Sequence, residues 1–404
     1  MSNKNQHLSP EDAEIIKNQA FSDTLPGTLL KDFQALLDFI GSDGIEVTKT
    51  TQHIGMKYLF ELNERMTRPV ETELKRPQQK AFPNLHGLYL LLRVSGLARL
   101  VKDKNKTLLK LDPDVLASWQ QLNAVERYFS LLFCWILRGD EEILGEPRSW
   151  RIQGFLRCLQ IYQFTKQLDS KEESEARYMI GLTFAGLHNI ALMTLFGFLT
   201  GKPKINADGS VEGVELSDFG RTLLAYFDTA TTLYMDENDD ELSDGFYGFC
   251  AKDLMPLFPH WQNRLLIKER EVLTEGYSVI AVKVRDAVRK LAVPHDAVLH
   301  DFAMSILDAF NFDDDHLYEF VYKNELGKNE TVMHPFSDDG DYWADDMTLG
   351  EMPIHEGMTF VFHYDFGDDW RFECQIESLI KEAGKYKEPK VIEKKGRAPK
   401  QYYY

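Results

Sequence analysis

Residues 358–376, MTFVFHYDFGDDWRFECQI, alternate apolar and polar side chains on both sides of a turn-forming segment. Successive side chains of a β-strand point to opposite faces, so this alternation is typical of two half-buried strands. The apolar residues fall on one face of each strand: Phe360, Phe362, Tyr364 and Phe366 on the first, and Trp370, Phe372, Cys374 and Ile376 on the second. The stretch therefore predicts a β-hairpin with one buried face.

The register of this hairpin follows from the two apolar faces. Residues that lie opposite each other in an antiparallel pair share a face, so the numbers of paired residues must sum to an even value. We predict a three-residue loop, 367–369, in which Gly367 is available for a positive φ. Asp365 then lies opposite Arg371, and His363 lies opposite Glu373, on the other face of the sheet.

The triplet Asp365-Phe366-Gly367 also occurs in protein kinases, where the aspartate binds Mg²⁺. A kinase additionally requires a Gly-rich phosphate loop, a strand lysine and a His-Arg-Asp catalytic loop, and the sequence upstream has none of these. Gly-x-Ser-x-Gly, His-Glu-x-x-His and dinucleotide-binding motifs are also missing from the sequence. We therefore expect a non-enzymatic protein that uses no cofactor.

The segments around the hairpin predict an α+β domain over residues 271–400. Residues 277–285 and 316–322 are rich in β-branched and aromatic residues and predict strands. Between them, a helix is predicted to start at Pro294, and its apolar face consists of Leu299, Phe302, Ile306 and Phe310. We expect this helix to pack on a mixed or antiparallel sheet.

Several of these residues also form a pattern that resembles the plasmid pRiA4b ORF-3-like family, also called transposon-passenger TnpR-like. The pattern runs through Leu299-His300, Ala309-Phe310, Asp313, His316-Leu317, Phe320, Tyr364-Asp365-Phe366-Gly367-Asp368 and Trp370, and the resemblance covers about residues 275–400. It implies an α+β fold and an association with mobile elements, but no defined activity. The family usually continues after Ala-Pro into Pro-Glu-Asp and Gly-Gly, whereas here Lys400 and three tyrosines follow Ala398-Pro399.

The front of the chain is predicted to be α-helical, with two modules at 25–150 and 151–270 and an acidic linker at 235–245. In the first module a helix ends near Gly96, a strand, a basic turn and a strand at 108–111 follow, and Asp112-Pro113 starts a new helix. The second module repeats this order with Gly197, a strand at 214–216 and a helix from Ser217. Both units resemble winged-helix modules.

Charge is unevenly distributed along the chain, whose net charge is −18. Residues 301–377 hold 20 acidic residues against three Lys or Arg, a net charge of −17, whereas residues 42–110 carry +6 and residues 381–400 carry +5. An alternative function is therefore DNA binding by the front module, as by the recognition helix and wing of winged-helix proteins. The candidate phosphate-binding residues are Lys49, Lys57, Lys75, Arg76, Lys80, Lys102, Lys104 and Lys106.

A second alternative is a divalent-metal-dependent enzyme that uses the acidic hairpin. His316, Asp365, Asp368 and Asp369 are the candidate ligands for Mg²⁺ or Ca²⁺. Because exposed carboxylates are the ordinary case, solvated or ion-paired acids are the competing interpretation. The four cysteines lie far apart in apolar contexts, which favours reduced, buried thiols.

Taken together, the sequence predicts a cytoplasmic interaction or regulatory protein of the plasmid pRiA4b ORF-3-like family, with a protein partner, possible DNA contact, possible homo-oligomers and no membrane contact. No apolar stretch approaches the roughly 20 residues of a membrane span. The basic segment 381–400 is expected to fold back on the acidic domain, or else to act as an arm for nucleic acid. The family-motif residues that we carry forward as a candidate site are His300, His316, Tyr364, Asp365, Phe366, Gly367, Asp368 and Trp370.

Overall fold

The structure is a computed structural model of the chain. It describes residues 7–103, 106–145, 154–165, 185–205, 211–238, 242–338, 340, 342–382 and 385–402. The chain forms two compact units, residues 1–268 and residues 269–404, which we call the front unit and the C-terminal unit. Among the described residues, no helix combines the length and the apolar character that crossing a membrane requires.

The front unit is mainly helical. Its helices are α1 Pro10–Asn18, α2 Leu29–Ile40, α3 Met56–Glu64, α4 Pro83–Val94, α5 Pro113–Gln121, α6 Ala124–Arg138, α7 Phe155–Thr165, α8 Leu187–Leu195, α9 Asp218–Glu237 and α10 Gly245–Leu254. Its strands are β1 Ile45–Val47, β2 Ala98–Asp103, β3 Lys106–Leu111, β4 Leu199–Ile205 and β5 Val211–Leu216. Strands β1, β3 and β2 form one antiparallel sheet in that order, and β4 pairs with β5.

Local chemistry accounts for the two helix-hairpin-helix units. Asp112 caps α5, because its carboxylate accepts hydrogen bonds from the backbone N–H groups of Asp114 and Val115, and Pro113 occupies the first helical position. Ser217 caps α9 in the same way, with its hydroxyl 2.8 Å from the Gly220 nitrogen. Both β-hairpins and both following helices lie where the sequence predicts them. The division of the front at about residue 150 falls outside the described residues and stays a prediction.

The acidic segment 235–245 is only partly a connection between elements. Its first three residues extend α9 as far as Glu237, and Asp244 and Gly245 begin α10. Residues 239–241 lie outside the described residues. The predicted linker is therefore shorter than the acidic run, because acidic residues continue a helix as readily as they form a turn.

The C-terminal unit is an α+β domain, as predicted. Its strands are β6 Tyr277–Val284, β7 Ala287–Pro294, β8 Tyr318–Lys323, β9 Asn329–Met333, β10 Tyr342–Trp343, β11 Thr359–Tyr364, β12 Trp370–Ile380 and β13 Lys390–Lys395. They form one sheet in the order β10-β9-β8-β11-β12-β6-β7-β13, antiparallel except for the parallel pair of β10 and β9. Helix α11, Leu299–Phe310, contributes its predicted face to the core that this sheet forms.

The predicted start of α11 is wrong. Pro294 ends strand β7, which pairs with β6 along its whole length, and the helix starts five residues later at Leu299. Proline is tolerated at the first position of a helix and also at a strand end, so Pro294 alone did not distinguish the two. The four residues of the predicted apolar face are nevertheless all fully buried: Leu299, Phe302, Ile306 and Phe310.

The hairpin of β11 and β12 has the predicted parity but not the predicted loop. Tyr364 pairs with Trp370, so five residues rather than three form the connection. His363 consequently lies opposite Arg371, and the predicted pairs of Asp365 with Arg371 and of His363 with Glu373 are wrong. Phe366 leaves the core face altogether and is 45% exposed.

The basic segment folds back on the domain through the backbone. Strand β13 pairs with β7 in antiparallel orientation at one end of the sheet. Charge plays a part through Lys290 on β7, which lies between Glu377 and Glu393. All four cysteines are free and buried, as predicted: Cys134, Cys158, Cys250 and Cys374.

Candidate functional site

The family-motif hairpin ends in a turn that Asp365 organises. Asp365 has a φ of +56°, and its Oδ1 accepts hydrogen bonds from the backbone nitrogens of Gly367 at 3.0 Å and Asp368 at 3.2 Å. Aspartate tolerates this left-handed conformation because its short side chain bonds to the neighbouring backbone. The other carboxylate oxygen lies 3.5 Å from Nε2 of His316.

Tyr364 connects the same turn to the segment before β8. Its hydroxyl donates to the Asp313 carbonyl at 2.6 Å and lies 3.1 Å from Oδ1 of Asp315. Burial and the bond to Asp315 raise the pKa of Tyr364 well above its ordinary value. The sequence motif thus brings His316, Tyr364 and Asp365 together, and we call these residues with Asp313 and Asp315 the motif cluster.

A second polar group on the other face of the sheet was missed at the sequence level. The ring nitrogens of His363 lie 3.0 Å from Glu319 Oε1 and 2.8 Å from Asp369 Oδ1, and Arg371 also binds Asp369 at 2.8 Å. Glu319 lies opposite His363 because strands β8 and β11 are paired. Predicting this contact from the sequence would have required knowing that these two strands, which are distant in sequence, are neighbours in the sheet.

The side chains of the other motif residues lie outside the motif cluster. His300 lies on α11, with Nδ1 2.7 Å from the Tyr318 hydroxyl. Trp370 is buried, and the Arg285 guanidinium lies over its ring at 4.5 Å. Phe366, Gly367 and Asp368 form the exposed part of the turn.

The candidate metal ligands do not converge on one point. Asp369 pairs with Arg371 and His363, whereas Asp365 faces His316 and its own turn. Within the ranges that the structure describes, no group of three or more His, Cys, Asp or Glu side chains is arranged to hold a metal ion. The acids of the hairpin therefore act as turn caps and ion-pair partners here.

The candidate phosphate-binding residues are spread over the front unit. Lys57 and Lys106 both bind Glu46, at 3.0 and 3.3 Å. Lys104 lies outside the described residues. The remaining candidates are exposed: Lys49, Lys75, Arg76, Lys80 and Lys102.

Helix α4 occupies the place that a recognition helix would take, between α3 and the β2–β3 hairpin. It is buried from Leu85 to Val94 and packs against α6 and α8. Gly87 allows close contact, because a Cβ atom there would lie 2.8 Å from the Leu192 side chain. A helix covered on all these sides cannot present base-reading side chains.

Three histidines lie in a row, with His86 of α4 in the middle. The ring of His86 is 5.3 Å from that of His53 and 5.5 Å from that of His188, and His188 lies 3.3 Å from Glu141. Burial, followed by the nearby His188 and His53, lowers the pKa of His86 to about 3. His86 is therefore neutral at physiological pH, and these polar groups belong to the interior of the front unit.

A surface of exposed aromatic residues lies at the β10 end of the C-terminal sheet. We call Phe336, Tyr342 and Trp343 the aromatic edge. Phe336 is 85% exposed, and the Trp343 indole donates to the Ser337 carbonyl at 3.1 Å. Tyr342 and Trp343 line an open cavity of about 500 Å³ together with Arg270, Val272, Asp346, Met347 and Glu351.

The electrostatics of this cavity are dominated by acids. Arg270 is already paired, with Glu325 at 2.6 Å and Glu330 at 3.6 Å. The acids that line the cavity are Asp346 and Glu351, and Asp346 forms no ion pair with any residue that the structure describes. In the sequence, Phe336, Tyr342 and Trp343 stand out as aromatic residues within an aspartate-rich segment. The segment has no alternating apolar pattern that would indicate whether these side chains are buried or exposed.

Comparison with known proteins places the motif cluster and the aromatic edge in one family region. Residues 280–401 match the family model of the plasmid pRiA4b ORF-3-like protein. This ORF-3-like region confirms the predicted resemblance of the C-terminal third. The winged-helix resemblance of the front unit stays a prediction.

A solved structure is similar to part of this chain. It is the crystal structure of a protein of unknown function, MM3350, from Methanosarcina mazei Go1. The similarity covers 29% of this chain and 68% of that chain, at 18% sequence identity and a TM-score of 0.27. No curated protein matches the chain.

Proposed function

We propose that this protein is a non-enzymatic interaction protein that binds a Lys- or Arg-bearing segment of a partner protein on the aromatic edge of its ORF-3-like unit. The observation that carries the proposal is the exposure of Phe336, Tyr342 and Trp343 beside a cavity of about 500 Å³. Exposed groups of large apolar side chains mark interaction sites, and aromatic residues dominate the binding energy of interfaces.

The aromatic edge is held in place before any partner binds. Trp343 is fixed by its hydrogen bond to Ser337, and the Phe336 ring packs 5.2 Å from the His334 ring. A surface that is ordered in advance loses less entropy on binding. This supports a docking role rather than a loop that is exposed by chance.

Charge defines the partner. The aromatic edge lies within residues 301–377, whose net charge is −17. Arg270 is paired with Glu325 and Glu330, and Asp346 and Glu351 lie in the cavity wall. Tyr and Trp faces attract cations, so the same surface binds both the apolar stem and the charged end of a lysine or arginine. An acidic partner would be repelled.

An interaction role is also supported by how the polar groups of the hairpin are used. Asp365 caps a turn, Asp369 is ion-paired, and Tyr364 binds a backbone carbonyl. These contacts stabilise the hairpin itself. A possible link to mobile elements or defence comes only from the family context.

The test uses a fluorescein-labelled peptide of alternating Lys and Leu, with a Glu-Leu peptide as the charge control. We expect the full chain to bind the Lys-Leu peptide, and Trp343→Ala to weaken binding roughly tenfold, which corresponds to about 1.4 kcal/mol. Ile392→Ala is the matched control, since Ile392 is an apolar residue at the opposite end of the sheet and is 45% exposed, compared with 36% for Trp343. Equal losses in both variants, or equal binding of the Glu-Leu peptide, would contradict the proposal.

Phosphate contact by the front unit is a second candidate. It is supported by the exposure of Lys49, Lys75, Arg76 and Lys80 and by the order of elements from α2 to β3, which is that of winged-helix proteins. Because α4 is buried, binding would be independent of base sequence. We expect Lys75→Glu combined with Arg76→Glu to reduce the affinity for random duplex DNA at low salt, with Lys17→Glu on α1 as the control. An intact chain that fails to bind at low salt would remove this candidate.

A further inference from the structure

Gln401 and Tyr402 of the tail segment 396–402 contact the motif cluster. Gln401 is only 7% exposed, although Arg397 and Lys400 in the same segment are exposed. Its Oε1 accepts a hydrogen bond from the backbone nitrogen of Asp313 at 2.6 Å, and its Nε2 lies 3.4 Å from the Tyr364 hydroxyl. The oxygen and the nitrogen of the Gln401 carboxamide thus both contact the motif cluster.

The next residue adds a charge-assisted contact. The Tyr402 hydroxyl lies 2.8 and 2.9 Å from the two carboxylate oxygens of Asp315, and the Gln401 Nε2 lies 2.8 Å from the same hydroxyl. Partial burial and the bond to Asp315 raise the pKa of Tyr402 to about 12, while that bond lowers the pKa of Asp315. At neutral pH a neutral phenol therefore donates to an ionised carboxylate, the stronger kind of hydrogen bond.

Two residues of the motif cluster, Tyr364 and His316, have contacts that hold them independently of the tail. Tyr364 ends strand β11 and is fixed by the Asp313 carbonyl, while His316 is fixed by Asp365. None of these contacts involves the tail. The pocket should therefore keep its shape when residues 401–402 leave, which distinguishes a binding site from ordinary packing.

The tail is joined to the fold through strand β13, through the buried Arg289, which donates to the carbonyls of Lys395 and Gly396 at 3.0 and 3.3 Å, and through Ala398, which packs on the core. Among the described residues β13 pairs with β7 alone, lies at the end of the sheet, and is largely exposed. Edge strands held on one side open at low cost in free energy. The contacts of Gln401 and Tyr402 form a further attachment beyond these.

We propose that the motif cluster is a binding site for a peptide in which glutamine is followed by tyrosine, and that residues 401–402 of the same chain occupy it as a displaceable internal ligand. The site is separate from the aromatic edge, so its role does not depend on the proposed partner binding. An incoming segment would compete with Gln401 and Tyr402 for Asp313, Asp315 and Tyr364.

The test titrates a fluorescein-labelled peptide of residues 396–402, GRAPKQY, into two full-length proteins. One is the unaltered chain, and the other carries Gln401→Ala with Tyr402→Ala, two positions that lie outside the strands of the sheet and outside its hydrophobic core. We expect the altered chain to bind at least about tenfold more tightly, since its site is empty. Adding Asp315→Asn should abolish this gain, and a peptide with alanine in place of glutamine should bind about tenfold more weakly.

A residue-level readout keeps the result independent of overall stability. The Asp313 amide, which binds Gln401, should exchange its hydrogen faster in the altered chain and regain protection with saturating GRAPKQY peptide. Equal peptide affinity for both chains, or unchanged Asp313 exchange, would overturn the proposal. Concentration-dependent dimers of the unaltered chain that disappear in the altered chain would overturn the internal assignment, because the ligand would then come from a second copy.

Discussion

Helix α4 and the segment from His334 to Asp346 differ from what their sequences suggest, in opposite directions. Helix α4 stands where a nucleic-acid-reading helix is expected, yet its residues from Leu85 to Val94 are buried. The segment 334–346 is a polar, aspartate-rich connection, yet it exposes Phe336, Tyr342 and Trp343. Whether a segment is available for binding therefore depends on the residues that pack against it and not on its own composition.

The largest effect expected from this comparison is at Gly87. A valine there would bring its Cβ to 2.8 Å from Leu192 and 3.0 Å from the His188 carbonyl, so α4 and α8 would have to separate. We expect Gly87→Val to lower the free energy of unfolding of the front unit by roughly 3 kcal/mol. Gly248→Ala is the matched control, because a Cβ at Gly248 meets nothing within 4 Å. It should be neutral or slightly stabilising, as measured by chemical denaturation.

If Gly87→Val is tolerated without loss, α4 is free to move away from α8. The helix would then become available to a ligand, and the contrast with the aromatic edge would weaken. Hydrogen exchange of α4 peptides in both variants decides between these outcomes.

The next effect is the pH dependence of the front unit. His86 titrates at about 3 when folded because burial and its histidine neighbours disfavour the charged ring, whereas an unfolded histidine titrates near 6.5. The unfolded chain therefore binds the proton first, and stability that is complete above pH ~7 decreases as the pH falls from 6.5 towards 3. We expect a loss of roughly 1.5–2 kcal/mol between pH 6.5 and pH 5.

Urea denaturation at several pH values measures this loss. His86→Asn removes the titrating ring and should flatten the dependence over that interval, even if it lowers stability at every pH. A slope identical to that of the unaltered chain would show that His86 is not the group responsible.

A smaller effect is expected at the hairpin turn. Asp365→Ala removes two hydrogen bonds to the backbone and leaves a φ of +56° on a residue that seldom adopts it. The cost for the C-terminal unit should be about 1–2 kcal/mol, whereas Asp365→Asn should cost less than half as much, since asparagine accepts the same bonds. Thermal unfolding of the two variants measures the difference, and equal losses would contradict the turn-capping role.

The smallest effect concerns the aromatic edge itself. Phe336→Ser should change the free energy of unfolding by less than about 0.5 kcal/mol, because an 85% exposed ring contributes little burial. Phe302→Ser in the core of the same unit is the contrasting case and should destabilise it severely. A large loss in Phe336→Ser would mean that the ring is part of the core, and the proposed docking surface would lose its basis.

The outcome at the family motif shows how far sequence patterns reach. Alternation gave the strands, the buried faces and the even parity of the hairpin register, because side-chain direction follows from backbone geometry. It did not give the loop length, since loops of three and five residues satisfy the same parity. Asp365 decided that question by adopting a left-handed conformation that its own side chain stabilises.

The candidate site was only partly predictable for a similar reason. His316, Tyr364 and Asp365 were named from the motif and do meet, because strand β8 and strand β11 are neighbours in the sheet. Glu319, Asp315 and Gln401 complete the polar contacts, and nothing in their local sequence marks them. Their roles depend on contacts between residues that are 37 to 88 positions apart in the sequence.

The sequence by itself determined the α+β character of the C-terminal unit, the helix-hairpin-helix order of the front unit, the caps at Asp112 and Ser217, and the resemblance of residues 280–401 to the plasmid pRiA4b ORF-3-like family. These features follow from short-range geometry, in which each residue acts on neighbours a few positions away. Only the tertiary structure decided that α4 is covered, that β13 returns to β7, that Gln401 enters the motif cluster and that Phe336 remains outside. Whether a residue is buried depends on all the residues that pack around it, many of which are distant in sequence, so a local sequence pattern does not determine it.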